Sequence, residues 1–315
     1  MRGALFASLF LLLTTYAYAG SGWEKYGNEP VLGGGDMGTT FDICVLKTAD
    51  GYAMYLSWRP KKAIAVSYSK DGKRWTDPKV VLDARPESGW EDHVNRPVVL
   101  FKDGMYHMWY TGQCSKKGAK SSKIGYATSP DGVNFTRVSD APVLVPEEKW
   151  EDVAVMCPHV IWDDSQKIYK MWYSGGEQYE PNAIGYAESA DGKVWKKSAK
   201  NPVFKNNPNC EWERERATAC QVIKRKNDYL MFYIGFYDVH TAKIGMARSK
   251  DGIMNWERYP NNPIIQPTPD GWDAEATYKP YAVFDGGDCL LWYNGRVKNL
   301  ERIGLAVHKG EDLGF

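Results

Sequence analysis

Apolar and polar positions along this chain fall into a pattern that returns about every 60 residues. Each period carries three strand-like signals. The first is an apolar run ending in a turn, as in Pro97-Val98-Val99-Leu100-Phe101-Lys102-Asp103-Gly104. The second is aromatic: Met54-Tyr55-Leu56, Met108-Trp109-Tyr110, Met171-Trp172-Tyr173, Met231-Phe232-Tyr233 and Leu291-Trp292-Tyr293. The third is an Ile-Gly-Tyr-Ala-x-Ser unit closed by Asp-Gly, seen at 123–132, 183–192 and 243–252, more loosely at 63–72, and decayed at 302–308. Asp71, Asp131, Asp191 and Asp251 stand 60 residues apart. They read as turn residues, because Asp bonds its local backbone and Gly accepts positive φ. An aromatic (Trp75, Phe135, Trp195, Trp256) and then Pro142-Val143, Pro202-Val203 or Pro263-Ile264 lead outward.

Short strands at even spacing, with turn signals between them and no competing helical period, predict an all-β array. Four strands per repeat, five times over, predict a five-bladed β-propeller with four-stranded blades. The blades run over 33–82, 83–144, 145–204, 205–265, and 266–315 joined by 23–32. The last assignment comes from the chain ends. The fifth repeat stops before its aromatic and Pro-Val segment. Trp23-Glu24-Lys25-Tyr26-Gly27-Asn28-Glu29-Pro30-Val31-Leu32 matches Trp256 to Ile265 position for position. The N-terminal segment is therefore expected to supply the outer strand of blade 5 and close the ring, which removes an open edge. Trp90-Glu91, Trp150-Glu151, Trp212-Glu213 and Trp272-Asp273 recur before four of the blades, so these acids read as structural.

Met1 to Ala19 adds a compartment. Arg2, an apolar run over 4–13 and Ala17-Tyr18-Ala19 have the form of a secretory signal peptide, too short to span a bilayer. A secreted or periplasmic protein is expected, with residues 20–315 as one propeller domain. Without Arg2, 39 of the 40 Lys and Arg face 39 Asp and Glu. That balance argues against nucleic acid or an anionic membrane as partner, and a monomer is expected. Aromatics form 14% of the chain, including 13 Trp and 20 Tyr, which suits both a β-rich fold and stacking on sugar rings. The six Cys show neither CxxC nor metal-ligand spacing. Most read as buried small hydrophobes, and Cys210–Cys220 is the nearest pair for a bridge.

The first strands of a propeller surround its centre, so breaks in repeat symmetry at their start mark candidate chemistry. Anchored on Ile43, Pro97, Pro158, Cys220 and Pro280, the preceding residues are Asp42, Arg96, Cys157, Ala219 and Lys279. Nearby stand Asp92, His93 and Asn95, then Asp152 and His159, then Glu213 to Arg216, and finally Glu275 and Tyr278. Two histidines without a carboxylate at fixed spacing are no metal motif, and neither metal nor other cofactor is expected.

These residues carry a resemblance. Thr39-Thr40-Phe41-Asp42-Ile43-Cys44-Val45 leading to Gly51-Tyr52-Ala53-Met54-Tyr55 resembles the first-blade strand of five-bladed glycoside hydrolases. These are the arabinanase/xylosidase, invertase/levanase and mannoside-phosphorylase families. The repeated Ile-Gly-Tyr-Ala-x-Ser-x-Asp-Gly and Met-Trp-Tyr-x-Gly units and the ending Glu301-Arg302-Ile303-Gly304-Leu305-Ala306 are similar to secreted members of that group. The resemblance covers residues 23–315. It implies two carboxylates flanking a glycosidic bond, one protonated and one ionised. Asp42 takes the base or nucleophile role, and Glu215, or next Glu275, that of acid. Arg214 or Arg216 beside Glu215 favours its ionised form and counts against it. Cys157 stands where two of the families place a third acid, with Asp152 five residues earlier.

Three readings follow. The first is a secreted glycosidase acting on an oligosaccharide or polysaccharide. His93, Asn95, Arg96, His159, Arg216 and Lys279 would hold its substrate, and Trp58, Trp90 or Trp150 would stack on sugar. The second is a mannoside-type phosphorylase with Arg96, Lys279 and His93 around phosphate. The third is a non-catalytic glycan-binding propeller. Arg96 and Lys279 also suit an acidic sugar.

Overall fold

The computed structural model describes residues 21–179 and 181–315; the signal-peptide reading at 1–19 lies outside them. The strands form five groups, each an antiparallel run in sequence order. First strands are Thr40–Thr48, His93–Lys102, Ala154–Asp163, Arg216–Lys224 and Ala276–Asp285. Second strands are Gly51–Trp58, Met105–Cys114, Ile168–Gly176, Tyr229–Phe236 and Asp288–Val297. Third strands are Ala63–Ser69, Ser121–Ser129, Pro181–Ser189, Ala242–Ser249 and Leu300–His308. Short fourth strands are Lys79–Leu82, Thr136–Arg137, Lys196–Lys197 and Glu257–Arg258. In the fifth group Trp23–Lys25 pairs with the third strand, Trp23 opposite His308 and Lys25 opposite Ala306. The only helices among the described residues are five single 3-10 turns.

Hydrogen bonding differs from five separate sheets. One parallel bridge, Ser122 to Ala154, joins groups two and three. Another, Ala242 to Ala276, joins four and five. The result is two eight-stranded sheets and one four-stranded sheet, all open. Two chain segments crossing from group to group lie close enough there to share one ladder contact.

The core lies between the groups. Trp109, Trp172 and Trp292 on second strands are fully buried, and each donates its indole N–H to a turn glycine of the next group. The acceptors are Gly192 O at 2.9 Å, Gly252 O at 2.8 Å and Gly72 O at 2.8 Å. The last of these runs from group five to group one. Gly192 has φ +74°, and a Cβ there would lie 2.8 Å from the Trp109 ring, so only glycine fits the turn. The preceding aspartate completes it: Asp191 Oδ1 accepts from Lys193 and Val194 N–H, both at 2.9 Å.

The recurring Trp-acid pairs are structural. Glu91, Glu151, Glu213 and Asp273 are all fully buried. Each meets a base of the fourth strand: Arg137 at 2.9 Å, Lys197 at 2.7 Å, Arg258 at 2.6 Å and Lys25 at 2.5 Å. Tyr110, Tyr173 and Tyr293 donate hydroxyls to the first, second and fourth of these acids. Lys25 thus does in group five what Arg258 does in group four. The tryptophans Trp90 and Trp150 pack over Gly112 and Gly175, where a Cβ would meet the rings at 2.4 and 2.5 Å. They are occupied there and stand away from the central cavity, contrary to the expected stacking role.

Candidate active site: a cavity ringed by five bulges

Every first strand is broken at the same place. The pairing register slips between Phe41 and Cys44, Asn95 and Val98, Met156 and His159, Thr218 and Cys220, and Tyr278 and Tyr281. These are β-bulges, which re-aim a side chain out of the ladder. The bulged residues Asp42, Arg96, Cys157, Ala219 and Lys279 all have positive φ, at 51°, 54°, 52°, 37° and 50°. Non-glycine residues seldom adopt this conformation, and such strain collects at functional sites. Pro97, Pro158 and Pro280 follow three of them; proline has no N–H to lose from the ladder. Four bulges are fastened to the preceding group through their own N–H. Asp42 donates to Asn294 Oδ1 at 2.8 Å, Arg96 to Ser57 Oγ at 2.8 Å, Cys157 to Thr111 Oγ1 at 3.1 Å and Ala219 to Ser174 Oγ at 2.9 Å. At the fifth junction Ile234 stands in that place and offers no acceptor.

All five bulged residues line one cavity of about 500 Å³, within the size range of small-ligand sites. Trp58, His93 and Asn95 also line it, as expected of substrate-binding residues. Among the described residues two carboxylates do so, Asp42 and Glu301. Arg96 Nε lies 3.3 Å from Asp42 Oδ2, yet Oδ2 accepts no hydrogen bond and is left for a ligand. Asn95 steadies that arginine, its Oδ1 accepting from Nη1 at 2.9 Å, and its own amide donates to Gln113 at 2.6 Å. Glu301 is engaged on both oxygens, by the Tyr278 hydroxyl and the Arg59 guanidinium. Burial first, and the Glu301 charge next, push the Tyr278 phenol up. Burial, with Lys62 and Arg59 nearby, holds the His93 ring below its ordinary range and so neutral at pH 7. Burial keeps the Cys157 thiol protonated despite Lys279 and Arg96 beside it.

Four expected site residues stand elsewhere. Glu215 is exposed and only its backbone is held, its N–H donating to Phe236 O at 3.0 Å. Glu275 does not line the cavity; it accepts from Lys298 N–H at 2.9 Å and stands 3.9 Å from Arg296, which does. Arg216 leans to Glu177 at 3.4 Å. His159 lies past the bulge, on the far side from the cavity, with Nε2 donating to Val222 O at 2.9 Å. Its imidazole is pushed down to about 4, mainly by burial. The physical reason is common to all four: the side chain that enters the cavity is set by the bulge, not by nearness to it in sequence. Cys210 and Cys220 are both free thiols. Among the described residues no group of three His, Cys, Asp or Glu is placed to hold a metal.

Glu301 and Arg296 are the residues that first-strand alignment missed. Their signal lies one strand over. Two positions before each Ile of the repeated third-strand unit stand Lys62, Ser122, Asn182, Ala242 and, at 301, the only carboxylate. That position breaks the repeat as sharply as the bulges do.

An all-β scaffold that converges carboxylates, cations and an aromatic ring on a sugar-sized cavity is that of a carbohydrate-active protein. The chain belongs to the glycosyl hydrolases family 43, whose model matches residues 36–291. It is similar to a 1,2-beta-oligomannan phosphorylase of Thermoanaerobacter sp. (strain X514), at 28% identity over 250 residues, 76% of this chain and 77% of the relative. Its fold is shared with a thermostable family-43 glycoside hydrolase, at TM-score 0.70 and 20% identity over 86% and 90% of the chains. It is shared equally with a beta-1,2-mannobiose phosphorylase from Listeria innocua, at TM-score 0.70 and 14% identity over 92% and 98%.

Proposed function

We propose that this protein is an exported glycosidase that cleaves an oligosaccharide or polysaccharide in the bulge-ringed cavity. The five strand groups act as the blades of a five-bladed propeller, with Trp23–Lys25 closing the fifth. The observation that carries the reading is Asp42, a buried carboxylate aimed into the cavity with an oxygen that no protein donor takes. Arg96 beside it suits a group that bears negative charge next to a developing oxocarbenium ion, whether it activates water or attacks directly. Glu301 is the second carboxylate. To protonate the leaving oxygen it must exchange Arg59 for substrate, and the Arg59 side chain, 55% exposed, is placed to leave.

Phosphorolysis is the second reading, favoured by the 28% identity to an oligomannan phosphorylase. The two separate by product. Hydrolysis yields free reducing sugar at a rate indifferent to phosphate; phosphorolysis yields a sugar phosphate and needs phosphate. Screening a glycan panel with and without phosphate decides between them. Glycan binding with no product under either condition contradicts both.

A further inference from the structure

One group in the cavity has no role in the fold. Lys279 is 7% exposed, and among the described residues no hydrogen bond or ion pair holds its ammonium. Burying an unmatched charge is costly, and side chains so placed are ordinarily paired. The other cations of the wall have partners. Arg96 faces Asp42 at 3.3 Å, Arg59 holds Glu301, and Arg296 lies 3.9 Å from Glu275 while donating to His240 O at 2.7 Å. Lys62 is exposed at the rim. Among the described residues the two carboxylates of the wall, Asp42 and Glu301, are paired with Arg96 and Arg59 rather than with Lys279. The adjoining bulge positions are Ala219 in group four and, across the closure, Asp42 in group one, which faces Arg96; the Cys157 thiol nearby stays protonated, and the residue across the junction is Ile234. Among the described residues the wall therefore carries more cations (Arg59, Lys62, Arg96, Lys279 and Arg296) than carboxylates (Asp42 and Glu301), and Lys279 is a buried one without an ion pair.

We infer that the Lys279 ammonium receives the carboxylate of an acidic sugar unit, so that the substrate is a uronic-acid-bearing glycan. The inference rests on the glycan-cleaving reading for the identity of the ligand, but not on turnover. A single buried charge matches a monoanion. A phosphate dianion calls for more, and Arg96, the least exposed arginine of the wall, already faces Asp42. A carboxylate is held through one charge-assisted bond and a sugar ring fills the remaining space.

The test is calorimetric titration at pH 7 with D-galacturonate and D-glucuronate, against D-galactose, D-glucose and inorganic phosphate. At least one uronate is expected to bind about tenfold or more tightly than its neutral counterpart, as a bond to a charged group allows. Lys279→Met, which keeps length and removes charge, is expected to erase that difference while leaving the ligand-free melting temperature unchanged or higher. Cys157→Asp is a second variant that tests the same point should Lys279→Met not fold. It gives Lys279 an internal partner and is expected to abolish uronate binding. Equal binding of uronate and neutral sugar overturns the inference, as do no binding by any uronate and uronate binding retained in either variant. Phosphate binding lost in Lys279→Met without uronate binding also overturns it and supports phosphorolysis. A protein that binds uronate but cleaves nothing refutes the catalytic reading and leaves this one standing.

Discussion

The buried acids show how position decides the role of a carboxylate. Glu151 takes the backbone N–H groups of Glu147 and Glu148 at 2.7 and 2.9 Å, the Tyr173 hydroxyl at 2.7 Å and Lys197 at 2.7 Å. Burial opposes its charge, but these donors win and its carboxyl lies below the ordinary range. Asp71, Asp131 and Asp191 are likewise lowered, chiefly by backbone N–H donors, and Asp251 by the same donors against burial. A carboxyl whose folded pKa is depressed adds stability above its unfolded value and loses it as pH falls toward the folded one. Melting temperature is therefore expected to hold from neutrality to about pH 5 and then to drop steadily through the unfolded carboxylate range near pH 4. A melting temperature unchanged down to pH 3 contradicts this. Glu151→Ala takes the buried carboxylate from Tyr173 and leaves Lys197 only the exposed Glu147 and the Val145 carbonyl, and should cost about 3–5 kcal/mol at pH 7 in denaturant titration. Asp42, by contrast, has an oxygen that no donor holds and only the Arg96 guanidinium beside it, at 3.3 Å.

At the scale of the strand, the bulge is what turns a scaffold into a site. It needs a positive φ, a residue without a ladder partner, and a fastening across the junction. Thr111 provides that fastening for Cys157. Thr111→Val keeps the shape and removes the acceptor, leaving a buried N–H unpaired, at about 1–3 kcal/mol. A loss below that range would mean the bulge is held by packing alone. Much of this was legible in the sequence. The Ile-Gly-Tyr-Ala-x-Ser unit fixes the register, and the register singles out Asp42, Arg96, Cys157, Ala219 and Lys279. What was not legible is which way neighbouring side chains turn. Glu215 and Arg216 are close to a bulge in sequence but precede it on the edge where the chain faces solvent. Glu301 is 259 residues from Asp42 and reaches the cavity only because a third strand ends there. His159 differs from the expectation because it stands two residues beyond Cys157, where the strand has rejoined its ladder opposite Trp172 and has run past the cavity.

For the molecule as a whole, the contacts from the fifth group to the first matter most. Trp292 donates to Gly72 and Asn294 accepts from Asp42, while within the fifth group Lys25 completes the buried acid pair at Asp273. Trp23 is fully buried and meets Phe232 edge-on at 6.0 Å, between the last two groups. Trp23→Ala should cost about 3–5 kcal/mol, the range for losing a buried aromatic. Urea unfolding should remain a single transition with a lower midpoint. A variant as stable as wild type would mean that residues 23–32 are ornament rather than part of the fifth group. The same contacts bear on activity, since Asn294 holds the Asp42 bulge from the opposite end of the chain.

The central claim is that Asp42 and Glu301, brought together by a bulge and a strand end, are the reacting carboxylates, while Glu215 is bystander. It is tested most directly by the release of sugar from the best glycan of the panel by Asp42→Asn, Glu301→Gln and Glu215→Gln, with melting temperature as the control for folding. Losing a carboxylate of the reacting pair should lower kcat by at least about 10³-fold with the fold intact. Glu215→Gln should stay near the wild-type rate. Full activity in Asp42→Asn, or inactivity in Glu215→Gln with Glu301→Gln unaffected, would contradict it.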